Sequence, residues 1–60
     1  MIAGLFRLSR IFAEGWNAAR ELPANEVDDL DIFRVAALNP YAYEPERARW
    51  KAGFAKALGK

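Results

Sequence analysis

Apolar residues recur at helical intervals along the first third of the chain. Leu8, Ile11, Phe12, Gly15, Trp16 and Ala19 follow the series i, i+3, i+4, i+7, i+8, i+11, and Arg7, Arg10, Glu14, Asn17 and Glu21 take the other side. This spacing predicts an amphipathic helix over about 5–21. Pro23 ends it, because the residue before a proline avoids helical backbone angles. A second apolar set (Val27, Leu30, Ile32, Phe33, Val35, Ala36, Ala37) is broader and less cleanly periodic. Asn25 is placed to cap a connector helix over about 26–38, with Glu26, Asp28 and Asp29 in its first turn, where acids complement the positive end of the helix dipole. Asn39-Pro40-Tyr41 is a turn signal. Pro45 suits the first position of a last helix over about 45–58, with Glu46 in its first turn. Trp50, Gly53, Phe54, Ala57 and Leu58 mark its apolar face, and Gly59 is placed to terminate it. The expected fold is all-α: a small helical hairpin of two long amphipathic helices, joined by a connector with a short third helix, in one domain over 1–60.

One short pattern occurs twice. Phe12-Ala13-Glu14-Gly15-Trp16-Asn17-Ala18-Ala19 and Trp50-Lys51-Ala52-Gly53-Phe54-Ala55-Lys56-Ala57 both read aromatic-x-x-Gly-aromatic-x-x-Ala. Offsets of three, four and seven fall on one helical face, so each copy stacks two aromatic rings beside a glycine and an alanine. A glycine inside a helix costs about 1 kcal/mol relative to alanine. The compensation expected here is a close approach of two backbones where the glycines meet, with an aromatic, glycine-lined seam between the long helices.

Sixty residues allow one domain at most, and a chain this short buries only about 60% of its unfolded surface. Cysteine and histidine are both absent, which leaves no disulfide and no conventional zinc site. With 53% hydrophobic and 28% charged residues, the composition is that of a folded chain. The net charge of +1 conceals segregation. Residues 21–31 carry Glu21, Glu26, Asp28, Asp29 and Asp31 without a base, and residues 47–60 carry Arg47, Arg49, Lys51, Lys56 and Lys60 without an acid. Solvated polar faces with internal charge complementarity explain this pattern, and so does a basic surface for phosphate. No uncharged apolar run approaches the ~18 residues of a membrane span. Arg7 and Arg10 interrupt the apolar start Met1-Ile2-Ala3-Gly4-Leu5-Phe6, so it does not form a signal-peptide core. Both features point to a cytoplasmic protein.

Catalytic chemistry has little to work with. Ser9 is the only hydroxyl outside tyrosine, and no histidine is present to activate it. The four glycines are isolated and form no phosphate loop. Glu26, Asp28, Asp29 and Asp31 lack the glycine and distal glutamate of a calcium loop. A non-enzyme without metal, cofactor or small-molecule substrate is expected.

Asn39-Pro40-Tyr41 followed by Arg47-x-x-Trp50-x-x-Gly53-Phe54-x-x-Ala57 resembles the C-terminal half of the ribosome modulation factor family, which carries Cys-Pro-Tyr and then Arg-x-x-Trp-x-x-Gly-Trp-x-x-Ala. Gly15-Trp16-x-Ala18-Ala19 matches that family's earlier Gly-Tyr-x-Ala-Gly element. Pro40, Tyr41, Arg47, Trp50, Gly53, Ala57, Gly15 and Ala18 match as identities, and Trp16 and Phe54 match as aromatics. The resemblance implies a two-helix protein that binds the small ribosomal subunit. Arg47, Arg49, Lys51, Lys56, Arg7 and Arg10 are then the phosphate-binding candidates, with ribosome or ribosomal RNA as partner. Asn39 stands where the family has cysteine, and the connector here is longer and acidic.

Three functional readings are open. The leading one is a regulatory module on the ribosome or its RNA. The second is a protein–protein adaptor, phage- or prophage-encoded, that uses the acidic connector. The third is an interfacial membrane helix over Met1–Trp16. A homodimer burying the apolar surface of the connector is compatible with each. Trp16, Trp50 and Phe54 are open to two roles, as core residues or as platforms for stacked bases, with their periodicity favouring the core. Tyr41 fits a helix-packing anchor or a ligand contact.

Overall fold

Two long helices cross at the repeated pattern. The computed structural model describes residues 3–59, with side chains from residue 6 onward. It contains α1 (Ala3–Arg20), α2 (Ala24–Asp28), α3 (Ile32–Leu38) and α4 (Glu46–Ala57), and the described residues form no strand. The architecture is therefore all-α. Met1, Ile2 and Lys60 lie outside the described residues, so the interfacial reading of Met1–Trp16 and the basic Lys60 are described only in part.

The pairing of α1 with α4 is the one extensive helix–helix contact among the described residues. The glycines do not simply face each other. Each meets the backbone of the aromatic residue that opens the other copy of the pattern. A Cβ built on Gly15 would overlap the Trp50 carbonyl oxygen and lie 2.9 Å from its carbon and 3.1 Å from the Phe54 nitrogen. A Cβ on Gly53 would overlap the Phe12 carbonyl oxygen and lie 3.2 Å from the Phe12 Cα. The contact is reciprocal, as the sequence repeat requires. It brings α-hydrogens against carbonyl oxygens, a weak attraction that operates only at this separation.

The contacts also set direction. Near its start, α1 places Arg7 against Glu46 at the start of α4. Further along, Phe12 meets Arg49; beyond that, Gly15 meets Trp50 and Phe54. Both chains advance together, so α1 and α4 run parallel. A hairpin with a short loop makes its helices antiparallel. Here residues 21–45 carry the chain back along the pair before α4 begins, which turns the anticipated hairpin into a parallel crossing.

Ile11, Ala19, Trp50 and Phe54 form the buried core, with Gly15 and Gly53 buried beside them. The Trp50 and Phe54 rings stack at 5.1 Å. Phe54 and Ile11 are the largest fully buried side chains, each contributing about 1.5–3 kcal/mol. Ala18, Leu22, Leu30, Val35, Tyr41, Ala57 and Leu58 pack around this centre. Trp16 departs from its expected core position: it is half-buried and is not among the residues packed on the core.

The connector is two short helices rather than one over 26–38. Aspartates bond to nearby backbone in non-helical geometry and so interrupt helices. Asp28-Asp29-Leu30-Asp31 does this: Asp31 Oδ1 accepts the Arg34 backbone N–H at 2.8 Å and caps α3. Asn25 lies inside α2, and Pro23 holds the N-cap position instead. Pro45 likewise stands at the N-cap of α4, one position earlier than expected. Glu44 supplies the cap, its carboxylate accepting the Ala48 N–H at 2.8 Å. Gly59 follows α4 with φ of 76° and ends it as anticipated.

Two side chains tie the connector to the crossing. Asn39 accepts the Tyr41 N–H and donates to the Arg47 carbonyl at 2.9 Å, folding the Asn-Pro-Tyr turn onto α4. Tyr41 donates its hydroxyl to Glu14 Oε1 at 2.7 Å on α1. That hydrogen bond, with smaller contributions from desolvation and the Glu14 charge, raises the Tyr41 pKa above 10.0.

Alanine in place of an exposed helical glycine usually stabilises, by about 1 kcal/mol. Gly15→Ala and Gly53→Ala reverse that sign: each forces the helices apart and loses about 1–3 kcal/mol or more, the range for overpacking, measured by thermal or urea unfolding. In a Tyr43→Phe background, tyrosinate absorbance reports Tyr41 alone. It titrates above 10.0, and Glu14→Gln lowers its midpoint. Because the folded pKa is the raised one, this interaction's contribution to stability is complete below the unfolded tyrosine pKa and disappears as pH climbs through the folded value.

Candidate nucleic-acid interface

The crossing leaves α4 with a groove on either side. On one side, Leu8 of α1 meets Pro45, Ala48, Arg49 and Ala52. On the other, α3 supplies Ile32, Phe33, Val35 and Ala36 opposite Arg47, Ala48 and Lys51. Ala48 borders both grooves, so it lies on the ridge between them.

This division separates the six predicted phosphate-binding residues. Arg49 lies on the α1 side, its guanidinium 5.9 Å from the centroid of the Phe12 ring. Lys56 comes two turns later on the same stripe of α4 and is exposed. Arg47 and Lys51 line the α3 groove instead. Arg7 is paired with Glu46 at 3.4 Å. Arg10 is 4.0 Å from Glu14, and its side chain is 84% exposed, a geometry worth little in water. The six therefore do not make one surface. Among the described residues, Arg47, Arg49, Lys51 and Lys56 form no ion pair.

The residues predicted as structural behave as a frame. Gly15, Trp50, Gly53 and Phe54 form the crossing, Ala18 and Ala57 pack against its core, and Tyr41 braces α1. Pro40 sits in the turn that Asn39 ties down. Trp16 is the exception: it is half-buried, and its spacing puts it one helical turn beyond Phe12. Arg20, exposed and also without an ion pair among the described residues, lies one turn further on. The motif pattern does not mark Phe12 or Arg20 as a ligand contact, although the i, i+4, i+8 spacing of Phe12, Trp16 and Arg20 is a signal that could have found them.

Charge is sorted unevenly. Five of the eight acids have partners: Glu14 accepts from Tyr41, Glu26 pairs with Arg34 at 3.4 Å, Glu46 pairs with Arg7 across the two long helices, Asp31 caps α3 and Glu44 caps α4, while Glu21, Asp28 and Asp29 form no ion pair among the described residues. No acidic side chain lines the groove between α1 and α4. Arg49 lines it and stands over the half-buried Phe12 ring, and helical spacing continues these stripes to the half-buried Trp16 and to Arg20 on α1 and to Lys56 on α4. Such an edge can meet phosphates and stack an unpaired base. Among the described residues, no group of three histidine, cysteine or acidic side chains is placed to hold a metal ion, and no helix is long and apolar enough to cross a membrane. Compared with protein-family models, curated proteins and solved structures, the chain matches none.

Proposed function

We propose that this chain is a small, non-catalytic RNA-binding module that docks on ribosomal RNA in the cytoplasm through the open edge of the α1–α4 seam. The observation that carries the reading is Arg49, without an ion pair among the described residues, standing over the Phe12 ring beside a groove whose lining holds no acid, with Trp16, Arg20 and Lys56 following on the same helical stripes. Arg20, Arg49 and Lys56 meet phosphates, while Phe12 and Trp16 present the stacking surface. The sequence resemblance to the ribosome modulation factor family points to the same class of partner. With three phosphate contacts on single-stranded RNA, the salt dependence of log K has a slope of about −2. Binding is then modest and readily weakened by salt, in keeping with a net charge of +1.

A second reading has its own observation. Asp28 and Asp29 form no ion pair among the described residues, so the connector offers an acidic surface to a basic protein partner. Asp28→Asn with Asp29→Asn weakens such an adaptor, but leaves RNA binding unchanged or improved.

Co-sedimentation with purified ribosomes, and fluorescence anisotropy on single-stranded ribosomal RNA, test the leading reading. Arg49→Glu combined with Lys56→Glu is expected to lower RNA affinity at least ~tenfold at low salt without changing helical circular dichroism. Arg47→Glu with Lys51→Glu, on the other side of the α4 ridge, is expected to have a much smaller effect. Equal losses from the two pairs, or no loss from the first, would discard the seam edge as the site.

A further inference from the structure

The second groove beside α4 has the opposite character. The helix α3 buries none of its side chains fully. Ile32 is 72% exposed and Phe33 77%, and with Val35 and Ala36 they form an apolar wall along a groove of about 420 Å³. Scattered exposed apolar residues are normal, but adjacent large ones on an otherwise unburied helix mark a contact surface.

The charges around this wall are polarised along its length. The helix α3 runs antiparallel to α4, since Leu30 and Ile32 lie near Phe54 and Leu58 while Asn39 bonds to the Arg47 carbonyl. Asp28 and Asp29 therefore stand beyond one end of the apolar wall. Lys51 lies beside its middle, and Arg47 beside its other end, together with Glu44, whose carboxylate is held there by the Ala48 N–H. Asp28, Asp29, Lys51 and Arg47 form no ion pair among the described residues. Placed head to tail across a two-fold axis, two copies of such a surface bring the acidic end of each against the basic end of the other. The apolar walls then meet in between. An isologous interface requires this self-complementarity, because residue i touches residue j and j touches i.

We infer that the groove between α3 and α4 is a dimerisation surface for a second copy of this chain. Phe33 and Ile32 pack about the two-fold axis, and Asp28 and Asp29 of each copy face Arg47 and Lys51 of the other. The interface covers the apolar wall that the monomer leaves in water, in a chain too small to bury much by itself. Dimerisation here is independent of RNA binding, which is assigned to the opposite side of the α4 ridge.

Sedimentation equilibrium on the full chain tests it. Wild type is expected to dimerise reversibly, and Phe33→Asp, at an exposed position, to weaken dimerisation at least ~tenfold with helical circular dichroism retained. The charge exchange is the sharper arm. Asp28→Lys with Asp29→Lys, and separately Arg47→Glu with Lys51→Glu, each place like charges across the axis and shift the chain toward monomer. Mixing the two variants restores every opposite-charge contact and yields a 1:1 heterodimer. A wild type that stays monomeric at its highest soluble concentration overturns the assignment and leaves the groove to a different protein. A Phe33→Asp dimer as tight as wild type, or two charge variants that fail to associate on mixing, overturns it as well.

Discussion

The rest of the molecule depends on one backbone contact, in which Gly15 meets the Trp50 carbonyl and Gly53 the Phe12 carbonyl. A side chain at either glycine would occupy the space that the other helix's carbonyl takes, so the separation of α1 and α4 is set by the absence of two methyl groups. Core burial alone is thin, resting on Ile11, Ala19, Trp50 and Phe54. Close approach makes it sufficient, because the flanking aromatic side chains can then reach across from one helix to the other. The parallel sense of the crossing dictates the course of the chain after α1. A short loop cannot return the backbone to the start of a parallel partner, and residues 21–45 exist in part to make that return.

The acidic character of the connector acquires a physical role in this setting. Asp31 and Glu44 cap helices, Glu26 steadies Arg34, and Glu46 and Glu14 bind Arg7 and Tyr41. Each of these exposed contacts is worth little singly. Together they occupy five of the eight acids, while Arg49 beside Phe12 and, by helical spacing, Arg20 and Lys56 carry no ion pair among the described residues. A chain of net charge +1 thereby presents a locally cationic surface. The nearly balanced composition, which argues against strong RNA affinity for the molecule as a whole, is compatible with a modest and salt-sensitive site on one edge.

The long helices are legible in the sequence because each repeats an apolar stripe over three or more turns, and the doubled glycine pattern announces their close approach. The direction of the crossing is not legible: the aromatic-x-x-Gly pattern suits reciprocal contact but carries no label for parallel or antiparallel. The broken connector escapes the sequence pattern because its apolar residues fit a helix loosely, while the competition from Asp28, Asp29 and Asp31 for backbone groups is a local effect that periodicity does not register. Asp31 is a good capping residue by type, but Asn25 meets the same rule earlier in the chain. The basic residues look like one set because they cluster in sequence. Steps of two residues along α4, from Arg47 to Arg49 to Lys51, rotate each side chain well away from the last and distribute them between two grooves. Spacing alone places Trp16 in the core, and the glycine crossing, by drawing the axes together at Gly15, leaves it half-buried.

Nuclear Overhauser spectroscopy on the isotopically labelled chain tests the crossing most directly. A parallel crossing gives cross-peaks between the α-protons of Gly53 and Phe12, and between the Gly15 α-protons and the backbone amide of Phe54. It also gives contacts joining the Arg7 region to Glu46, at the start of α4. Contacts joining the Arg7 region to Ala57 and Leu58, with none at the glycines, would show an antiparallel pair and overturn the parallel crossing.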